Sequence, residues 1–86
     1  MKNIYRVAHY PQIPCNPFII RCKTVTECKR IRDILCDYDL FQYQNHIKPD
    51  YANISVIQQR DYENNEWCDL EEQEIDDILA EEQKGR

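Results

Sequence analysis

The sequence predicts a small α+β fold: a mainly antiparallel sheet of four to five strands, packed by one central helix, with a short acidic helix at the end. Three observations carry this. One stretch, Thr24 to Asp37, places apolar residues at helical spacing behind a capping pair. Around it lie short runs of alternating β-branched, aromatic and polar residues, separated by proline or Asn/Asp punctuation. The last stretch, from Leu70, threads Ile75, Ile78 and Leu79 through a run of acids.

Residues 2–10, KNIYRVAHY, alternate and are rich in β-formers, so they read as the first strand. Pro11, Pro14 and Pro17 then remove backbone donors and stiffen a connector. The run PFIIRCK gives a second strand, with Phe18 and Ile20 on one face and Ile19 and Arg21 on the other. Thr24 and Glu27 form a capping box, and Val25, Cys28, Ile31, Leu35 and Tyr38 continue as a core-facing stripe, with Ile34 beside it. Lys29, Arg30, Asp33 and Asp37 take the solvent face, and Cys28 and Cys36 read as core filling.

After Asp37 the apolar period fails. The spacing predicts a turn near 38–39, a short strand over 41–44, and a loop at 45–50 that contains Pro49. ANISVIQQRDY reads as a strand with Ile54 and Val56 on one face and Ser55 and Ile57 on the other. Glu63-Asn64-Asn65 suits a hairpin turn because asparagine tolerates left-handed φ, and EWCDL returns as a short strand. Residues 70–86 read as an acidic helix or tail with two alternatives, docking through Ile75, Ile78 and Leu79 or fraying after Ala80. The whole, 1–86, is expected to be a single domain with a modest core.

Composition excludes several function classes. A hydrophobic fraction of 42% with nine aromatics argues for a folded chain. One glycine in 86 residues rules out phosphate-cradling loops of the P-loop or Rossmann kind. The five cysteines include no Cys-x-x-Cys pair, which leaves zinc-ribbon and thioredoxin-like readings without support. No apolar leader and no membrane-length apolar run is present, so a reduced, cytoplasmic setting without a membrane is expected. The net charge of −5 hides a split: residues 1–60 hold nine Lys/Arg against five Asp/Glu, a net of +4, and residues 61–86 hold two against eleven, a net of −9.

No catalytic pattern emerges, and an enzyme is not expected. His9 and His46 are the only histidines, too few for the usual hydrolytic zinc site, so no metal and no cofactor are expected. Five thiols and two imidazoles allow several Cys-His pairs, and nothing in the spacing selects one. Arg21, Lys23, Lys29, Arg30 and Arg32 cluster around the helix start, near Tyr5 and Tyr10. The overall acidity nevertheless argues against direct nucleic-acid binding and for a solvated face or a dock for the tail. The acids Asp69, Glu71, Glu72, Glu74, Asp76 and Asp77 form a second candidate surface, either solubilising or imitating a row of phosphates before a basic groove. Exposed strand edges leave a homodimer open.

Two stretches, HYPQIPCNPF at 9–18 and DYDLFQYQNHIKPDYAN at 37–53, resemble a family of small acidic bacteriophage proteins of the superinfection exclusion type. The resemblance implies a phage-encoded accessory protein. It would act in the bacterial cytoplasm by non-catalytic binding to a host or rival-phage protein, in superinfection exclusion or counter-defence. It also implies that the polar members of the two boxes form the binding surface: His9, Tyr10, Gln12, Asp39, Gln42, Asn45, Lys48, Asp50 and Tyr51. A module sequestering a nucleotide signal with the basic residues and tyrosines of 5–32 is the alternative, and a Cys/His or metal enzyme the third.

Overall fold

A computed structural model describes residues 4–48 and 53–84. In chain order the elements are β1 (Tyr5–Tyr10), β2 (Phe18–Cys22), α1 (Val25–Gln44), β3 (Ile54–Asp61), β4 (Glu66–Asp69) and α2 (Glu72–Lys84). The strands make one antiparallel sheet in the order β2–β1–β3–β4. Its register places Val7 opposite Ile20 on one side and Ile57 on the other, so alternate residues of three strands meet on one face. That face and the helices enclose a core of Val7, Cys22, Val25, Cys28, Ile57 and Ile75. The α+β class and the strand faces stand as the alternation foretold.

The start of α1 is tied down twice. Thr24 has extended backbone angles and its Oγ1 accepts the Glu27 N–H at 3.1 Å, as the capping box required. The second tie comes from the far end of the chain. Glu82 on α2 accepts the N–H groups of Val25 and Thr26, both at 2.8 Å, and the Thr26 hydroxyl at 2.6 Å. A carboxylate thus sits on the orphan amides at the positive end of the α1 dipole. The helix α2 therefore runs on to Lys84, with Ile75 buried and Ile78 and Leu79 packed against the core.

The far end of α1 corrects the sequence reading. There is no turn at 38–39 and no strand at 41–44, because the helix continues to Gln44. The core-facing row also continues, through Leu35 to Asp39, but Asp39 is polar, so the apolar period stops before the helix does. Tyr38, assigned to the core stripe, is instead 55% exposed, as is Ile34. The helix ends in a Schellman motif: Ile47 N–H reaches the Gln42 carbonyl at 2.8 Å and His46 N–H the Tyr43 carbonyl at 3.2 Å. His46 takes the left-handed position, φ 59°, where glycine is usual. At the β3–β4 hairpin Asn65 also has positive φ, 55°. There Asp61 accepts the N–H groups of Glu63 and Asn64, fixing the turn expected at that place.

Candidate functional site

His9 is the third core-facing residue of β1, after Tyr5 and Val7, and lies opposite Phe18 and Ser55. Its position at the end of the apolar stretch lets the imidazole reach the second half of α1. There its Nε2 stands 2.7 Å from Asp39 Oδ2. Both residues are buried, at 2% and 3% exposure, which makes this a desolvated charge-assisted contact and not a surface pair. Asn53, entering β3, donates to the same oxygen at 2.9 Å. Lys48 Nζ lies 3.5 Å from the other oxygen and also donates to the Pro11 carbonyl.

Burial works against the Asp39 charge. The hydrogen bonds from Asn53 and His9 and the charges of His9 and Lys48 outweigh it, holding the carboxyl below its ordinary range. One carboxylate thus joins β1, the proline connector, α1, the segment that follows it and the entry to β3. Two buried polar atoms beside this bridge, His9 Nδ1 and Ser55 Oγ, have no hydrogen-bond partner among the described residues. The arrangement is a clamp. The Asp39 carboxylate is enclosed and held by His9, Asn53 and Lys48, so it positions the surface above it.

That surface is apolar and aromatic. Ile34, Tyr38 and Phe41 lie at helical spacings of four and three, with exposures of 55%, 55% and 53%, and Ile47 beyond the helix end is 62% exposed. The Tyr38 and Phe41 rings stack at 6.3 Å between centroids with 12° between planes. A pocket at the end of α1 is lined by Tyr43, Gln44, His46 and Lys48. A second, apolar one is lined by Tyr10, Ile13, Pro14, Cys15 and Ile54, and the Ile13–Pro14 peptide within it is cis.

Of the residues singled out in the sequence, His9, Asp39 and Lys48 come together in the clamp. Asp39 does so as a buried helical residue and not as a turn former. Tyr10 is half-buried on the opposite sheet face, and Gln12 is half-buried in the connector. The Gln42 carbonyl closes the helix end, and Asn45 caps it by donating from Nδ2 to the Phe41 carbonyl at 2.9 Å. Asp50 and Tyr51 lie outside the described residues. The acids Asp69, Glu71, Glu72, Glu74, Asp76 and Asp77 are all exposed, and Glu72 pairs with Arg32 at 3.0 Å. Sequence reasoning missed Asn53, Glu82 and the ledge. Only the ledge left a trace, in the Ile34–Tyr38–Phe41 spacing.

A family model described as superinfection exclusion gene product 17 matches residues 4–84. The chain belongs to this family. It is also 50% identical over 72 residues to a superinfection exclusion protein of Salmonella phage P22, an alignment that covers 84% of this chain and 69% of that relative. No solved structure matches it. The two boxes through which the sequence resembles the superinfection exclusion family are the ones the clamp ties together, since His9 and Pro11 belong to the first and Asp39, Lys48 and Asn53 to the second. Among the described residues no helix is long and apolar enough to cross a membrane. Asp61, Glu66 and Cys68 bring three ligand atoms within 4.8 Å at the hairpin, but the Asp61 carboxylate is already taken up by the turn.

Proposed function

We propose that the protein acts in superinfection exclusion, in the host cytoplasm, as a non-catalytic binder that seats a host or rival-phage protein on the ledge of Ile34, Tyr38, Phe41 and Ile47. The observation that carries this reading is the pairing of that ledge with a buried clamp beneath it. Exposed aromatics grouped on a rigid element are what protein interfaces use as anchors, because they bury much area for little lost side-chain entropy. Asp39 lies one residue from Tyr38 and two from Phe41, so the bridge to His9, Lys48 and Asn53 fixes the helix turn that presents both rings.

The double variant Tyr38→Ala/Phe41→Ala tests it. Both side chains are more than half exposed, so the fold is expected to survive with little change in thermal midpoint. Infected cells expressing the tagged variant are expected to lose exclusion of a superinfecting phage, together with the protein that wild type captures after cross-linking. A folded double variant that excludes phage and captures the same protein as well as wild type overturns the reading.

A further inference from the structure

The helices cover one face of the sheet, and among the described residues no element crosses the other. Its register there is informative. Arg6 stands opposite Arg21 on β2 and Gln58 on β3, and Gln58 stands opposite Asp69. In the next row on the same face, Arg60 stands opposite Trp67. Three arginines from three strands thus share one surface with the chain's only tryptophan. The Arg6 guanidinium lies 4.4 Å from the Trp67 ring centroid and that of Arg60 5.6 Å, with Arg60 also 5.7 Å from the Tyr62 ring.

None of the three arginines makes an ion pair among the described residues, although the chain carries 16 Asp and Glu against 11 Lys and Arg. Arg32, Lys29, Lys48 and Lys84 all find carboxylates. The acid on this face, Asp69, accepts from the Gln58 amide at 2.6 Å. Arg6 is pushed below its usual range by burial and then by the charges of Arg21 and Arg60, so the three cations feel one another. An acid-rich chain thus sets three arginines without an ion pair among the described residues on one flat surface, the Arg6 guanidinium donating to Gln58 and that of Arg60 to Asn65, and both lying over aromatic rings; guanidinium N–H edges suit phosphate oxygens.

We propose that this uncovered sheet face binds single-stranded nucleic acid, Arg6, Arg21 and Arg60 taking backbone phosphates while bases stack on Trp67, Tyr62 and the guanidinium planes. Cross-strand neighbours stand about 5 Å apart and diagonal ones about 7–8 Å, so the arginines form a track and not a single anion hole. Seven of the eleven acids of residues 61–86 follow Asp69 and lie on or next to α2, which packs on the helical side with Ile75 in the core, while Asp61, Glu63, Glu66 and Asp69 belong to the β3–β4 hairpin. Flatness and stacking groups favour a single strand over a duplex, whose bases are already stacked. This site is separate from the α1 ledge and does not depend on it.

Trp67 supplies the assay. Purified protein titrated with an oligothymidylate of roughly 12 nucleotides is expected to lose tryptophan fluorescence. Three phosphate contacts give a log–log salt slope of about −2, so affinity falls about 15–20-fold between ~50 and ~200 mM salt. Arg21→Glu, at an exposed position that folding tolerates, is expected to weaken binding and bring the slope to about −1.4, and Arg60→Ala to do the same. Tyr38→Ala/Phe41→Ala is expected to bind the oligonucleotide like wild type, which keeps this test distinct from that of the ledge. Absence of salt-dependent quenching at ~50 mM salt overturns the proposal. So does wild-type binding by folded Arg21→Glu, or equal quenching by a polyglutamate peptide, which would assign the face to an acidic protein segment.

Discussion

Replacing Asp39 by alanine puts the clamp to its most direct test. The carboxylate is 3% exposed and holds His9 at 2.7 Å, Asn53 at 2.9 Å and Lys48 at 3.5 Å. Its loss removes the carboxylate that faces the Lys48 ammonium, a side chain only 10% exposed, and leaves His9 without a partner on either nitrogen among the described residues. Breaking a buried pair from one side costs about 3–5 kcal/mol. A domain of this size is stable by only ~4–13 kcal/mol, so the variant is expected to melt at least ~12 °C lower or to be partly unfolded. The dependence on pH separates charge from packing. Asp39 titrates below its ordinary range when folded, so its contribution is present above the unfolded value near ~3.9 and is lost as pH falls through the folded one. Asp39→Asn keeps the shape without the charge. Its stability gap to wild type, followed by urea denaturation, is therefore expected to be wide at pH 7 and to close as the pH drops below ~4. A gap that is absent at pH 7, or constant down to pH 3, refutes the clamp.

Three further outcomes follow from the ends of α1 and from the core. Glu82→Ala strips three hydrogen bonds from the start of α1 and is expected to cost about 1–2 kcal/mol by thermal denaturation, although residue 82 lies near the end of the chain. His46→Gly relieves a left-handed non-glycine residue and is expected to raise stability by about 0.5–1 kcal/mol in the same assay; a loss of stability would mean that the Schellman geometry is wrong. Burial pushes the Cys28 thiol well above its usual range, so iodoacetamide is expected to label Cys15 and Cys68 in the native protein. Cys22 and Cys28 are expected to react only on unfolding, as read by peptide mass.

The sheet was legible because its information is local: Ile54, Val56 and Ile57 declare their faces by alternation, and Asn65 declares the hairpin by its tolerance of positive φ. The beginning of α1 was legible for the same reason, since Thr24 and Glu27 are three residues apart. Its end was not. Asp39 faces the core in place of an apolar residue, and His46 closes the helix where a glycine would have announced it. The cap from Glu82 spans more than fifty residues and leaves no periodic trace. The candidate site divides similarly. His9, Asp39 and Lys48 stood out as polar members of odd boxes, but their mutual contact depends on β1 and α1 packing side by side. The arginine track could not be read at all, because Arg6, Arg21 and Arg60 become neighbours only through the strand order β2–β1–β3.

The acidic end of the chain must now be tested differently from what its charge alone suggests. Wholesale neutralisation of residues 69–82 would remove Glu82 from the α1 amides and Glu72 from Arg32, so a loss of exclusion would report misfolding as readily as lost recognition. Asp76, Asp77 and Glu81 are exposed and among the described residues hold nothing beyond α2 itself, where the Glu81–Lys84 pair is three-quarters exposed on both sides. Changing them to Asn, Asn and Gln is expected to move the thermal midpoint by no more than about 4 °C, as surface substitutions do. If the ledge is what a partner grips, exclusion persists in this variant. If exclusion disappears while the midpoint holds, the partner reads the negative helix as it would a row of phosphates, and the α1 ledge loses its claim to be the principal contact.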